Sequence, residues 1–318
     1  MSALLPLLPP RSLRRSLPRS LPGLLPWSLP LLLALLFPIT ANAAITVTDD
    51  AGHVLQLAQP AKRVISLAPH VTELIFAAGG GANLVGTVTH SDYPAAARSL
   101  PVIGDSRQID LERLIALKPD LLVVWFHGNA ARQLEQLRQL GIPIFSSEPH
   151  KLDDIADSVV RLGHLLGTDA VAAPRAAMLR GTLASLTARY SGRSPVRVFY
   201  QVWSKPLYTL NERHIVSDAL HICGGENVFG GLAATAPTVN VEAVLLENPE
   251  AIITGATRDQ AQTGLEMWRA YPALQAVRHA NLFALDADEL NRAGPRLIDG
   301  TAALCQKLDE ARLHRGAH

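Results

Sequence analysis

A repeated segment constrains the fold of this chain more than any other sequence feature. IDLERLIALKPDLLVVW (109–125) and VNVEAVLLENPEAIITG (239–255) each contain an early glutamate, a helical apolar pattern, a proline seven positions later and an apolar run. Proline ends a helix, and a continuous apolar run is typical of a strand buried in a parallel sheet. The repeat therefore predicts two similarly built α/β lobes; the alternative is convergence on a common helix–strand connection.

The segments around the repeat extend this plan. KRVISLAPHVTELIFAAGG (62–80) has the pattern of a strand, a proline-containing turn and a helix that ends at glycine. The stretch from Asp169 to Tyr190 is predicted to be one long helix, and RVFYQV (197–202) starts a new strand pattern. A long helix between two copies of one architecture indicates a rigid connector, with the ligand in the cleft between the lobes.

The N-terminus predicts export. A stretch with several arginines is followed by LLPWSLPLLLALLFP and then by ANA, which places small residues at Ala41 and Ala43 as in a signal-peptide cleavage site. The alternative is an uncleaved membrane anchor, but the apolar run is short and broken by prolines. We therefore predict a signal peptide over 1–43, an N-terminal lobe over 44–168, a connecting helix over 169–194 and a C-terminal lobe over 195–318.

The two cysteines, Cys223 and Cys305, lack Cys-x-x-Cys spacing, so neither a zinc knuckle nor a thioredoxin-type redox pair is expected. They are either two free buried thiols or one disulfide. Export to an oxidising compartment favours the disulfide, which would stabilise one lobe and take no part in chemistry. The balance of 29 basic and 28 acidic residues gives no electrostatic indication of nucleic-acid binding.

The sequence holds no Gly-x-Ser-x-Gly elbow, Walker loop, His-Glu-x-x-His helix or Gly-x-Gly-x-x-Gly turn, so we predict no enzyme. His70 and His90 follow strand-like runs, where loops of α/β folds present ligand groups. They are ordinary loop histidines or donors in the cleft, and metal ligands only if the ligand is haem. Trp125 ends the strand LLVVW, where it either packs in the core or meets a large, partly apolar ligand, and Trp203 has the analogous place in the second lobe.

Motifs along most of the chain resemble one family. RVISLAPHVTELIFAAG, SDYP, DLERLIALKPDLLVVW with GNAARQLEQL, CGGENVF, VEAVLLENPEAII and RAGPRLIDGTAALC are similar to segments of the periplasmic substrate-binding proteins of ABC importers. Several of these motifs also occur in the iron-siderophore and haem branches of that group. Taken together, with both cysteines at matching places, they favour the cobalamin branch.

The resemblance implies two Rossmann-like α/β lobes, one long connecting helix and docking onto a membrane permease. In the family one surface glutamate per lobe meets arginines of the permease, and these positions match Glu112 and Glu242. The alternative for both is that they are helix N-terminal acids that interact favourably with the helix dipole. The family's disulfide maps onto Cys223 and Cys305.

The departures from the family lie on the ligand side. His90, Ser106 and Ala236 stand where aromatic residues are expected, and in the ligand loop DELNR the pair Glu289 and Leu290 replaces two aromatic residues. Trp125 is retained and Trp203 is an additional aromatic. From the resemblance and from the position of Trp203 after a strand, we predict the ligand-contacting set His90, Trp125, Trp203, Asp288, Glu289, Leu290, Asn291 and Arg292.

We therefore predict a monomeric periplasmic receptor that binds cobalamin, as a transported ligand and not a catalytic cofactor, and delivers it to an ABC permease in the inner membrane. A haem or iron-siderophore receptor of the same superfamily is the alternative, and ligation of iron by His70 or His90 would identify a haem receptor. A secreted hydrolase or metal chelatase is opposed by the lack of a nucleophile–base motif. A signalling receptor subunit would differ only in its partner and stays open.

Overall fold

The computed structural model of the protein describes residues 44–105, 107–129, 131–256 and 264–315. The predicted signal peptide, residues 1–43, lies outside the described residues, and so does Ser106. No helix in the described ranges combines the length and the apolar content that crossing a membrane requires.

Two four-stranded parallel sheets form the framework of the described residues. The first sheet defines the N-terminal lobe and the second the C-terminal lobe. Two short antiparallel hairpins accompany them. The strands are β1 (Ile45–Thr48), β2 (Val54–Leu57), β3 (Val64–Ser66), β4 (Leu84–Gly86), β5 (Leu121–Trp125), β6 (Ile144–Ser147), β7 (Val196–Gln201), β8 (Trp203–Ser204), β9 (Leu207–Tyr208), β10 (Gly225–Asn227), β11 (Ala251–Gly255) and β12 (Leu282–Leu285).

The two sheets have the same topology, which confirms the prediction of two similarly built α/β lobes. The first is ordered β4-β3-β5-β6 and the second β10-β7-β11-β12. In each, the chain places its second strand on one side of the first and then crosses to the other side for the third. Such a switch point opens a crevice at the carboxyl ends of the two central strands, β3 with β5 and β7 with β11, where ligands of α/β folds bind.

Helices cover the sheets and connect their strands. They are α1 (Pro69–Ala77), α2 (Leu111–Ala116), α3 (Ala131–Gln139), α4 (Leu152–Leu166), α5 (Asp169–Tyr190), α6 (Ile215–Ile222), α7 (Val241–Glu247), α8 (Gln275–Arg278), α9 (Ala287–Leu290) and α10 (Arg296–His314). Short 3-10 turns lie at Gly81–Asn83, Ala95–Ser99 and Met267–Ala270.

The long helix α5 joins the two lobes and spans the residues that its periodicity predicts, Asp169–Tyr190, whereas the predicted connector 169–194 extends past its end. Its 22 residues give a length of about 33 Å. The side chains buried on it are Ala172, Ala176, Leu179, Leu183 and Tyr190, and this spacing is that of one helix face. Helix α4 packs closely against it, because a Cβ added at Gly163 would lie only 2.3 Å from the Cβ of Ala172.

The repeated segment forms the same local structure in both lobes. Helix α2 begins after Asp110, whose side chain accepts a hydrogen bond from Arg113 N, and α7 begins after Asn240, which accepts one from Ala243 N. Each helix then buries one central side chain, Leu114 or Val244. The sequence match thus reflects a shared N-cap, a shared core contact and a shared entry into β5 or β11.

Three apolar clusters form the core of the described residues. One runs through both lobes along α4, α5 and α10, and the other two lie on the opposite face of each sheet. Trp268 belongs to the outer cluster of the C-terminal lobe, where its Nε1 donates to Gln201 Oε1 at 2.7 Å. A disulfide joins Cys223, just after α6, to Cys305 in α10, as predicted.

Candidate ligand-binding site

A cavity of about 580 Å³ lies between the lobes, at the carboxyl edge of both sheets. The N-terminal lobe contributes the start of α1 and the loops that follow β5 and β6, and the C-terminal lobe contributes the start of α6, the loop after β10 and the loop before α10. The residues that line this cleft are Pro69, His70, Trp125, His127, Glu148, Pro149, His150, Arg213, His214, Ile215, Thr235, Asn291, Arg292 and Ala293.

Trp125 is held rigidly in the cleft wall. Its ring contacts His70 edge to face, with centroids 5.2 Å apart, and its backbone N–H donates to Asn129 Oδ1 at 2.8 Å. The ring also lies against Gly128, where an added Cβ would come within 1.9 Å of Trp125 carbons. Any larger residue at 128 would therefore displace the indole. An aromatic surface fixed in this way binds a flat apolar ligand with little further ordering.

The cleft holds one neutral imidazole from each lobe, that of His70, which is buried, and that of His214, which is partly buried. Burial, and then the positive charge of Arg292, lower the pKa of His70 to about 4. Burial, and then His150, lower the pKa of His214 to about 4. Nδ1 of His214 accepts a hydrogen bond from Val216 N, so its proton sits on Nε2. Within the described residues, His70 Nε2 is buried without a hydrogen-bond partner.

Two further histidines lie at the rim. His127 follows β5, and its backbone N–H donates to Glu148 Oε2 at 3.1 Å while its Nδ1 lies 3.6 Å from the same oxygen. His150 follows β6 and is exposed. Together with Arg213 and Thr235 across the cleft, these side chains give a polar rim around the indole of Trp125.

A second cavity, of about 310 Å³, adjoins the cleft at Asn291, which lines both. It lies at the carboxyl ends of β7 and β11, the switch point of the C-terminal sheet. Trp203 lies at its edge and is 66% exposed. Asn291 itself is anchored, because its Oδ1 accepts from Tyr200 Oη at 2.8 Å and its Nδ2 donates to Gly255 O at 2.9 Å.

Charged groups from both lobes meet beside the cleft. Glu73 on α1 is only 1% exposed and receives Arg296, whose Nε and Nη2 lie 3.0 and 2.7 Å from its two oxygens. Arg292 Nη1 lies 3.4 Å from Glu73 Oε1 and donates to Asp92 Oδ1 at 3.0 Å. Tyr93 stacks under Arg296, whose Cζ is 4.2 Å from the ring centroid. We call these five residues the interlobe clasp.

The contacts of the clasp also shift the pKa values of two of its members, Arg296 and Asp92. The hydrogen bond from Arg296 to Glu73 raises the pKa of the guanidinium further. Burial opposes ionisation of Asp92, but the hydrogen bond and charge of Arg292 together outweigh it and lower the pKa of that carboxyl. The charges of the clasp therefore stabilise each other across the lobe boundary.

The rest of the predicted ligand loop lies partly away from the cleft. Asp288 is half exposed and binds Arg292 Nη2 at 2.7 Å. Leu290 is 1% exposed and packs in the core, so we leave it out of the ligand-contacting set. Glu289 lines neither cavity, and burial followed by the charges of Asp286 and Asp299 raises its pKa.

His90 is exposed in the loop after β4, with a φ of 64°, and lines neither cavity. Of the predicted ligand set, the structure therefore brings Trp125, Asn291 and Arg292 together in the cleft and places Trp203 beside it. His70 also lines the cleft. The described residues include no group of three or more His, Cys, Asp or Glu side chains arranged to hold a metal ion.

Glu112 and Glu242 occupy equivalent exposed positions in the first turns of α2 and α7. Among the described residues neither carboxylate takes part in an ion pair. Arg63 Nη2 donates to Leu117 O and Arg197 Nη1 to Glu247 O, both at 2.6 Å, which ties the end of each helix to the amino edge of its sheet. The first turns, with their glutamates, consequently point toward the carboxyl edge that borders the cleft.

The sequence patterns did not lead us to the rim histidines or to Glu73, the buried acid of the clasp. His127 and His150 carried a usable signal, since both follow strands whose carboxyl ends border the cleft. Glu73 carried another, because a lone acid in the apolar helix PHVTELIFA is typical of a buried ion pair. Its partner Arg296 lies more than 200 positions later, and no local pattern joins the two.

Comparison with known proteins assigns the family. Residues 64–289 match the periplasmic binding protein family. The chain belongs to this family. It is 40% identical to the vitamin B12-binding protein of Vibrio cholerae serotype O1 over 250 residues, which span 78% of this chain and 90% of that relative.

Solved structures agree with this assignment. The crystal structure of the periplasmic vitamin B12 binding protein BtuF of Vibrio cholerae matches with a TM-score of 0.75 and 40% identity, over 80% of this chain and 98% of that one. A periplasmic heme binding protein of Pseudomonas aeruginosa matches with a TM-score of 0.67 and 26% identity, over 77% and 91% of the two chains. The resemblance of the sequence motifs to this family is thereby confirmed, as is the fold of two α/β lobes joined by a long helix.

Proposed function

We propose that this protein is a non-catalytic periplasmic receptor that captures cobalamin or a related corrinoid and delivers it to an ABC permease of the inner membrane. The observation that carries this proposal is the 40% identity to a vitamin B12-binding protein along 90% of that relative's length. Relatives of this kind are binding proteins of transport systems. The ligand is cargo and takes part in no reaction.

The cleft has the chemistry that a corrinoid requires. The ring of Trp125 offers a fixed apolar surface for a broad macrocycle, and the polar rim offers partners for its amide side chains. The neutral imidazole of His214 carries its proton on Nε2 and can donate to an amide carbonyl. We therefore place Trp125, Asn291 and Arg292 at the centre of the proposed ligand set, with Trp203 and Asp288 at its edge.

Calorimetric titration of the mature protein with cyanocobalamin and, separately, with haemin tests the proposal. We expect one-to-one cyanocobalamin binding and no haemin response. Haemin binding with a shifted Soret band, and no response to cyanocobalamin, would overturn the corrinoid assignment in favour of a haem receptor. His70 would then be the first candidate for an iron ligand, because it lines the cleft, whereas His90 does not.

We further propose that Glu112 and Glu242 dock the two lobes onto arginines of the permease. Their equivalent exposed positions beside the cleft suit a partner with matching symmetry, and charge pairs of this kind set orientation and association rate. Reversing both charges to arginine should abolish uptake in a reconstituted transporter and leave the calorimetric affinity unchanged. Glu135→Arg, on the exposed face of α3, is the matched control and should transport normally.

The proposal also includes the predicted signal peptide, residues 1–43, and a monomeric mature protein. N-terminal sequencing of the protein recovered from the periplasm should begin after Ala43. Light scattering of the purified protein should give the mass of one mature chain. A membrane-retained product that keeps residues 1–43 would contradict the export proposal.

A further inference from the structure

The interlobe clasp joins α1 of the N-terminal lobe to the loop that precedes α10 of the C-terminal lobe. Glu73 lies at its centre, with its carboxylate almost fully removed from solvent. Removing a carboxylate from water is unfavourable unless it is paired with good geometry. Here the two N–H groups of Arg296 meet both oxygens, the arrangement in which an arginine binds a carboxylate most strongly.

The position of the clasp links it to the cleft. Glu73 lies one helical turn after His70, which lines the cleft, and Arg292 lines the cleft from the other lobe. The backbone of the C-terminal lobe also approaches closely, since a Cβ added at Gly294 would lie 3.4 Å from Glu73 Oε2 and 3.6 Å from His70 Cβ. A change in the Glu73–Arg contacts would therefore alter the separation of the two cleft walls.

Arg292 already has three acidic partners, Glu73, Asp92 and Asp288. Its side chain is consequently fixed before any ligand arrives. Binding sites whose groups are fixed in advance lose less conformational entropy on binding and so bind more tightly.

We propose that Glu73 is a positioning residue for ligand capture: through Arg292 and Arg296 it holds the two lobes at the separation that the ligand requires. Glu73 acts through the two arginines and does not contact the ligand. The part of this inference that concerns affinity rests on the proposed function. The part that concerns lobe separation rests on the contacts of the clasp alone.

The test uses Glu73→Gln, which keeps the size of the side chain and removes its charge. Spin labels on Ala116→Cys and Leu246→Cys, exposed positions of the two lobes, report the interlobe distance by double electron–electron resonance. Without ligand, Glu73→Gln should broaden the distance distribution, and saturating cyanocobalamin should narrow it again. The dissociation constant for cyanocobalamin should rise at least tenfold. Glu135→Gln, whose ion pair with Arg138 lies within α3, is the control and should change neither measurement.

A folded Glu73→Gln protein with an unchanged distance distribution and a dissociation constant within twofold of the parent would overturn the inference. If Glu73→Gln does not fold, Asp92→Asn takes its place, because Asp92 is half exposed and its loss leaves no buried charge unpaired. Asp92→Asn should also broaden the ligand-free interlobe distance distribution, and an unchanged distribution would again overturn the inference. If the parent protein does not bind cyanocobalamin, the proposed function fails, whereas the ligand-free distances still test the clasp.

Discussion

The two lobes share a sheet order and a repeated helix but present different residues to the cleft. Both have the same sheet order, the same capped helix with an exposed glutamate, and an arginine that binds the carbonyls at the end of that helix. At the cleft, β3 leads directly into α1, whereas β7 leads into the β8–β9 hairpin that carries Trp203. The shared residues determine the backbone, and the differing residues determine what each lobe presents to a ligand.

The difference explains why the two tryptophans are not equivalent. Trp125 is packed between His70 and Gly128 at the end of a buried strand. Trp203 lies in a two-residue strand and is largely exposed. The N-terminal lobe therefore supplies a rigid wall, and the C-terminal lobe supplies the charged and amide groups of the loop before α10.

The largest expected effect concerns the disulfide, which only the C-terminal lobe contains. Replacing Cys223 and Cys305 together by alanine should lower the free energy of unfolding by about 3 to 4 kcal/mol, because the bridge closes a long loop of the unfolded chain. Urea unfolding measures this loss, and hydrogen exchange locates it. Faster exchange should concentrate in α6 and α10. An equal increase in the exchange rate of both lobes would contradict a stabilising effect confined to the C-terminal lobe.

A second prediction concerns pH and the one neutral imidazole per lobe. The folded pKa values of His70 and His214, about 4, lie below the ordinary value of 6.5, so between these values the unfolded chain binds protons that the folded chain does not. Stability should fall as the pH decreases below 6.5, by about 2 kcal/mol per imidazole between pH 7 and pH 5.

In urea unfolding, His70→Gln and His214→Gln should each remove the contribution of one imidazole to the loss of stability between pH 7 and pH 5. The double variant should remove both contributions. Gln does not titrate, so any constant cost of the substitution cancels between the two pH values. An unaltered dependence in the His214 variant alone would show that the two cleft walls titrate differently.

The tryptophans give the next largest effect. Trp125→Ala should weaken cyanocobalamin binding by about 1 to 2 kcal/mol, whereas Trp203→Ala should weaken it by less than about 0.5 kcal/mol, because an exposed ring must be ordered on binding. Calorimetry of both variants and of Trp125→Phe measures the difference. Equal losses of affinity in Trp125→Ala and Trp203→Ala would mean that both lobes present an aromatic wall to the ligand. The two tryptophans would then be equivalent in binding.

Much of the fold was predictable because local patterns encode it. The apolar run LLVVW, the proline after each repeated helix and the bounds of α5 all follow from periodicity and backbone chemistry. The disulfide followed from the compartment and from the family resemblance. Trp125 and His70 were candidates for the cleft because the carboxyl edge of a parallel sheet binds ligands, although a core position for Trp125 and an ordinary loop position for His70 stayed open.

What the sequence did not predict depends on contacts between distant residues. Glu73 and Arg296 are paired only once both lobes are folded, and Leu290 turns inward because α9 packs on α10. Exposure of His90 follows from its loop, whose path no local pattern determines. The lobes and the cleft between them could be predicted from local patterns, whereas the contacts that cross the cleft could not.

The smallest expected effect compares the residues that end the repeated helices. Lys118 and Asn248 occupy equivalent positions with φ of 47° and 45°, in the left-handed region. Asparagine tolerates this conformation better than lysine, because its short side chain can hydrogen-bond to nearby backbone. Lys118→Asn should therefore stabilise the protein by about 0.5 to 1 kcal/mol, and Asn248→Lys should destabilise it by more than that.

Thermal and urea unfolding of the two exchanged variants measure these changes, and the affinity for cyanocobalamin should stay constant in both. Asn248 Oδ1 also accepts a hydrogen bond from Gln275 N at 2.9 Å, which lysine cannot accept, so the loss at 248 should exceed the gain at 118. Equal and opposite changes would mean that backbone conformation alone distinguishes the two sites. A loss at both sites would mean that Lys118 makes a stabilising contact of its own, and the equivalence of the two lobes would then end at this turn.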